Sequence, residues 1–433
     1  MNEITGYERK DGRFGIRNHV LVLPTVSCVN GVINRISREV PEAVCVTHAH
    51  GCGRGGPRDR QILFGILSGL VRNPNVGGVV LIGLGCEVSN TKNLLPLLKD
   101  ARKPVEVFNV QEDGGSLKTA EKGAAAAHRM LAEIRKQKRV PVPWEKLLVS
   151  MECGGSDAMS GVTANVAMGS VSDWLVEKGA TVIFGENTEM IGTAHVLARR
   201  AKNEQVAGEI NRMINQAEKL TRETMGNLAS LVISPGNMDG GMSTIAEKSM
   251  GCIFKGGTTT INQVVGYGET PTEKGLVLQD GPGYDGDSMA GLAASGSQLM
   301  FFSTGRGTPA GFPALPVIKV ASNSKIFEAM KDDMDVNAGS LVEGKPLSGL
   351  RSEMIDLMIR VINGEETWGR SERDGCFYFY DGKPAILINP QLILIKWIIL
   401  FVDRDEEFMI IPFRFQRITR RQEGGAGDVL YIR

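Results

Sequence analysis

The chain has 433 residues, with 49 Lys+Arg against 49 Asp+Glu, 42% hydrophobic and 23% charged. That length suits two or three domains with cores of their own, the zero net charge excludes a global pull toward nucleic acid or an anionic membrane, and the apolar fraction excludes disorder. Glycine is the outlier, at 53 of 433 residues or about 12% against a usual ~7%.

The N-terminus, MNEITGYERKDGRFGIRNH, is polar and lacks the apolar run of a secretory signal, so a cytoplasmic protein is expected. Its seven cysteines are then thiols, buried or ligating, and not a disulfide framework. Residues 19–26, 43–50, 77–85 and 104–110 are short runs rich in Val, Ile and Leu, which predict strands buried on both faces. Segments 29–39, 58–73, 90–101 and 115–137 between and after them predict crossover helices. Two prolines and a charge cluster at 137–145 mark a boundary.

A second α/β pattern follows: strand 146–152, helix 161–178, strand 180–186, helices over 191–225, strands at 276–280, 299–304 and 316–322, and a helix at 324–334. The two halves open alike, TVSCVNGVIN at 25–34 and SMECGGSDAMSG at 150–161, as a shared strand-turn-helix grammar or a duplication would produce. The run QLILIKWIILFV at 391–402 is too short to span a membrane and reads as buried strand. The expected fold is α/β: two parallel-sheet, Rossmann-like or flavodoxin-like domains, residues 1–140 and 141–367, with the site at the C-terminal ends of strands between them, then an atypical tail, 368–433.

Ligands of open parallel sheets sit beyond the strands' carboxyl ends, and reactive residues recur there. THAHGCG carries His48, His50 and Cys52; GLGCE carries Cys86 and Glu87; ECGGSD carries Glu152, Cys153 and Asp157; GENTE carries Glu186 and Glu189, with His195 beyond it. Glycines beside them admit close backbone approach to something bound. GCGRGG at 51–56 satisfies G-x-G-x-x-G, but the strand before it ends in histidines and no acidic residue closes the next strand at the spacing a dinucleotide requires. The same loop can hold a carboxylate on backbone amides, with Arg54 and Arg58 adding charge. Mixed His, Cys and Glu ligands from separate loops suit a borderline divalent ion such as iron(II), manganese or zinc. Beside anion-binding loops, such an ion suits proton abstraction next to a carboxylate and loss of a β-hydroxyl.

These motifs, with GENTEMIGTAHVLARRA (185–201), EKSMGCIFKGGTT (247–259), FSTGRGTPAGFPALPVIKV (302–320) and DMDVNAG (333–339), resemble the altronate and galactarate dehydratase family over about 360 residues. The resemblance implies metal-dependent dehydration of a sugar acid to a 2-keto-3-deoxy acid, with Fe2+ expected and Mn2+ or another divalent ion as alternatives. It covers the part of the family that follows a small N-terminal SAF domain, so a separate small SAF-domain subunit is an expected partner, as is a homo-oligomer. Split members include (2R)-sulfolactate sulfo-lyase, which releases sulfite, and a non-catalytic sugar-acid-binding subunit is a third reading. His48, His195 and Glu186 are the catalytic candidates, Cys52, Cys86, Glu87 and Cys153 the metal candidates, and Arg54, Lys255 and Arg306 the candidates for an anionic hydroxy-acid substrate.

Overall fold

The computed structural model describes residues 3–52, 57–226, 233–367 and 376–377. The fold is mixed α/β, with two parallel sheets. The smaller has the order Val44–Cys45, His19–Pro24, Val76–Gly83, Val105–Asn109, all parallel. Val76–Gly83 is buried at every residue, which explains why its sequence runs apolar and does not alternate.

The larger sheet has the order Ile261–Gly266, Gly275–Asp280, Thr181–Phe184, Leu148–Cys153, Leu299–Thr304, Val317–Ala321, Val336–Asn337, again all parallel. Its first strand in the chain, Leu148–Cys153, is fourth in the order. The next strand lies on one side of it, and the chain later crosses to the other side at Leu299–Thr304. The topological switch point therefore falls at the carboxyl end of Leu148–Cys153.

The two sheets share a core. Leu63, Ile66, Leu67 and Leu70 of the helix Pro57–Arg72 pack in one apolar cluster with Met289, Ala293 and Phe302. Buried amides tie the same seam: Asn73 Nδ2 donates to the carbonyls of Ala293 and Ser297, both at 2.8 Å, and Asn75 Nδ2 to that of Gln298 at 2.8 Å. The expected boundary at 137–145 contains a short strand, Val140–Pro141, which returns to pair antiparallel with Thr5–Gly6. Arg139 fixes this return by donating to Thr5 Oγ1 and to the Ile16 carbonyl, at 3.0 and 3.1 Å.

Several elements differ from expectation. The helix expected over 90–101 is one turn, Thr91–Leu94, followed by the 3-10 segment Leu95–Ala101, because Pro96 cannot donate into an α-helical ladder. The 43–50 run splits into Val44–Cys45 and Thr47–His48, and the latter pairs with Cys376–Phe377 outside the main sheets. The helix Asp285–Ala294 escaped the periodic reading because Asp287 through Ala294 are all buried, so no polar face marks it. The strand expected at 391–402 lies outside the described residues. Among the described residues, no helix is long and apolar enough to cross a membrane.

Candidate active site

A buried cluster of ionisable groups sits at the switch point. The strand Leu148–Cys153 ends in Glu152 and Cys153, both fully buried. The strand Thr181–Phe184 leads into Glu186, whose backbone is left-handed, at φ 73° and ψ 54°. A non-glycine residue there is strained, and such strain gathers at functional sites. The 3-10 turn Asn187–Met190 then brings in Glu189.

The third contribution is helical. Thr244 caps the helix Ile245–Cys252 by accepting from the Glu247 amide, and a 3-10 turn over Ile253–Gly256 continues it. Lys248, Cys252 and Lys255 are spaced i, i+4, i+7, so they share one face, and that face is buried. Close approach of this helix is permitted where two glycines meet: a Cβ on Gly161 would fall 2.7 Å from Gly251 Cα. The glycine excess thus serves contact between elements as well as loops.

Lys255 pairs with Glu186 and Lys248 with Glu189. Lys255 Nζ also donates to Cys252 Sγ at 2.8 Å, Cys153 Sγ is 2.9 Å from Ser156 Oγ, and Ser288 Oγ donates to Glu152 Oε2 at 2.7 Å. One oxygen on each of Glu152, Glu186 and Glu189 (Oε1, Oε1 and Oε2) is buried with no hydrogen-bond partner among the described residues. Unpartnered buried carboxylate oxygens are costly, so they point to a missing positive or donating group.

The charge balance points the same way. Glu152, Glu186, Glu189, Asp285, Cys153 and Cys252 face Lys248 and Lys255 alone among the cations that act on them most strongly. Burial pushes Glu152 and Glu186 well above the usual carboxylate range, and Glu189 is raised for the same reason. Asp285 is pushed up to about 7 by burial and by Glu189. The two thiols share a hydrogen bond that holds Cys153 well below the usual thiol range, with Lys255 assisting, and raises Cys252. Ligand atoms of Cys153, Glu189 and Cys252 lie within 4.8 Å of one another, a geometry able to hold a metal ion. Two sulfurs and a carboxylate favour iron(II) or zinc over magnesium or calcium.

The structure brings together three of the sequence candidates: Cys153, Glu186 and Lys255. Lys255 is fully buried against Glu186, a position suited to a counter-ion. Arg306 is exposed, and its amide donates to the Gly155 carbonyl at 2.8 Å, which anchors it two residues beyond Cys153. Cys52, Cys86 and His195 are exposed, and neither cysteine joins the metal-capable group. Glu87 is buried at the end of Val76–Gly83, where it accepts from Thr25 Oγ1 at 2.6 Å and from the Gly85 amide at 2.7 Å. Although burial opposes its charge, these bonds leave Glu87 below its ordinary value. Arg54 lies outside the described residues. Sequence reasoning assigned no role to Cys252, Lys248 or Asp285, though the GC at 251–252 and the loop 279–287 stand out as glycine-rich and the i, i+4, i+7 spacing of Lys248 and Cys252 with Lys255 was visible.

His48 is fully buried. Its Nε2 donates to the Pro24 carbonyl at 2.8 Å and its Nδ1 accepts from the His50 amide at 3.2 Å, which fixes a neutral tautomer. Burial lowers it from 6.5 to about 4. The unfolded chain therefore takes up this proton first as pH falls, so the stability is fully present above 6.5 and is lost toward 4. We expect His48 to contribute about 3 kcal/mol of that loss. Thermal melts from pH 7 to 4 should show a steeper fall for wild type than for His48→Gln; parallel curves would contradict the assignment.

Comparison with known proteins gives a consistent set of matches. Residues 6–135 match the family model described as D-galactarate dehydratase/altronate hydrolase, second domain, and residues 144–381 the one described as D-galactarate/altronate dehydratase, C-terminal. The chain is 36% identical to an altronate dehydratase of Bacillus subtilis over 377 residues, covering 83% of this chain and 74% of that protein. It is 36% identical to the galactarate dehydratase (L-threo-forming) of Escherichia coli over 361 residues, 78% of this chain and 68% of the relative. It is also 32% identical to the (2R)-sulfolactate sulfo-lyase subunit beta of Chromohalobacter salexigens over 365 residues, 84% of this chain and 93% of that subunit.

Proposed function

Because this chain belongs to the D-galactarate and altronate dehydratase family, we propose that it is a metal-dependent dehydratase that converts a sugar acid to a 2-keto-3-deoxy acid at the buried cluster. The hydro-lyase class follows from the altronate and galactarate dehydratase relatives. The observation that carries the metal reading is the set of three orphaned carboxylate oxygens beside a Cys153, Glu189, Cys252 triad.

Those three residues would hold the ion, with Glu152 and Glu186 around it. Bound there, it would supply Lewis acidity to substrate oxygens as negative charge develops. Asp285 is placed to move protons, being half-buried beside Gly154 with a carboxyl near neutrality. A Cβ on Gly154 would fall 2.4 Å from Asp285 Oδ2, so the glycine lets this carboxyl sit against the strand end. Arg306, at the rim, offers a guanidinium to the substrate carboxylate. In the elimination, the base takes the proton next to the carboxylate, the electron pair forms the carbon–carbon double bond, and the neighbouring hydroxyl leaves as water. The enol then tautomerises to the keto acid.

The sulfo-lyase relative, matched over 93% of its length, favours a second reading in which sulfite is the leaving group. A substrate panel separates the readings. The full chain, prepared anaerobically with iron(II), should release keto acid from altronate or galactarate. Sulfite from sulfolactate would establish the second reading. Neither product, in an assay with the relatives as positive controls, would contradict catalysis by this chain.

A further inference from the structure

Beside the buried cluster lies an open cleft of about 680 Å³, walled by the helices Pro57–Arg72 and Glu204–Met225 and by the turn after the strand Ile261–Gly266. Asn187 and Asp280 line it. Asn187 joins the two regions: its neighbour Glu186 pairs with Lys255 in the cluster, while its own Nδ2 donates to Asp280 Oδ1 in the cleft, at 2.6 Å.

The polar groups of the cleft divide into those already engaged and those available. Glu269 accepts from the Gly266 amide at 2.8 Å and so stays with its own turn. Asp280 Oδ2 accepts no hydrogen bond among the described residues, and Gln61 and Gln216, both exposed, likewise make none. Arg58 is exposed and makes no ion pair within 4 Å among the described residues; it and Arg212 act on the Asp280 carboxylate through space. The Tyr267 hydroxyl is bound to the Asp287 carbonyl at 2.5 Å. A carboxylate with a spare oxygen and two amides match hydroxyl groups, which both donate and accept, while a guanidinium whose nitrogens make no close contact matches a carboxylate. Concave sites with a few convergent polar groups are the usual form of a small-molecule pocket.

We propose that this cleft binds the far, non-reacting end of the sugar acid, and that Arg58 reads a second carboxylate there, which makes a diacid the preferred substrate. The inference rests on the dehydratase reading for the identity of the ligand. It places the diacid's hydroxyls on Asp280, Gln61 and Gln216.

The test uses the full chain with galactarate, which has two carboxylates, and altronate, which has one, followed by calorimetric titration and by steady-state assay. Arg58→Gln should weaken galactarate binding and raise its KM by about tenfold, and altronate by less than about threefold. Asp280→Asn should weaken both acids. Because Asp280 is the more buried of the two, Arg58→Gln on an exposed helical turn keeps the test open should that variant misfold. Equal losses for both acids with Arg58→Gln would overturn the second-carboxylate assignment, and unchanged binding in both variants, or no binding of either acid by wild type, would overturn the cleft. A wild-type chain that binds galactarate in this Arg58-dependent way yet releases no keto acid would remove the dehydratase reading and leave the cleft standing.

Discussion

Cys252→Ser should reduce turnover by at least about 100-fold while leaving the chain folded, since loss of a ligand should cost no less than loss of its outer-shell support. The substitution is nearly isosteric, and the serine hydroxyl can still accept from Lys255, so the helix Ile245–Cys252 keeps its seat. What it removes is the soft sulfur donor, while a serine hydroxyl can keep the hydrogen bond to Cys153. Far-ultraviolet circular dichroism and a melting curve report the fold, and keto-acid release reports the loss. An active Cys252→Ser variant with unchanged metal affinity would take this sulfur out of the site.

The second large effect is on stability. Lys255→Met should destabilise the chain by about 3–5 kcal/mol at neutral pH, because it leaves Glu186 buried without its counter-ion. Glu186 is already raised well above the usual carboxylate range by burial, so it can take a proton once the lysine is gone. The cost of the variant should therefore shrink as pH is lowered toward mildly acidic values. Adding Glu186→Gln to Lys255→Met should restore part of the stability, since removing both charges is cheaper than stranding one. Denaturant unfolding of the three variants at two pH values checks this. Additive losses at both pH values would show that Lys255 acts through packing alone.

Much of the fold was legible because parallel strands buried on both faces announce themselves as unbroken Val, Ile and Leu runs. Val76–Gly83, with VVLI at its centre, is such a strand, and the apolar stretch of Leu299–Thr304 is built on Met and Phe instead. Ile261–Gly266 was not legible, since its Asn262 and Gln263 sit on a sheet edge where polar side chains are tolerated. The site was legible in part. The rule that ligands gather at strand ends picked out Cys153 and Glu186, and the KGG motif picked out Lys255. The same rule also selected Cys52, Cys86 and Glu87, which follow strands outside the larger sheet, and position along a strand cannot tell one sheet from another.

What the sequence could not convey was the meeting of distant segments. Cys252 reaches Cys153 because a capped helix lies across the strand end, a tertiary fact with no local signature. Asp285 follows a similar logic: its helix reads as small and apolar, and its role comes from packing against Gly154. Lys248 reads as a surface charge until the structure shows it buried opposite Glu189, and Lys255, read as a substrate-carboxylate ligand, is buried opposite Glu186.

Cobalt(II) titration of the full chain tests the central claim most directly, because thiolate ligation gives cobalt(II) an intense near-ultraviolet charge-transfer band. The account predicts such a band, saturating at one ion per chain, that is lost in Cys153→Ala and in Cys252→Ser and kept in Cys52→Ser and Cys86→Ser. A band absent from the wild-type chain, or one that disappears with Cys52 or Cys86 and survives loss of Cys153 and Cys252, would contradict it.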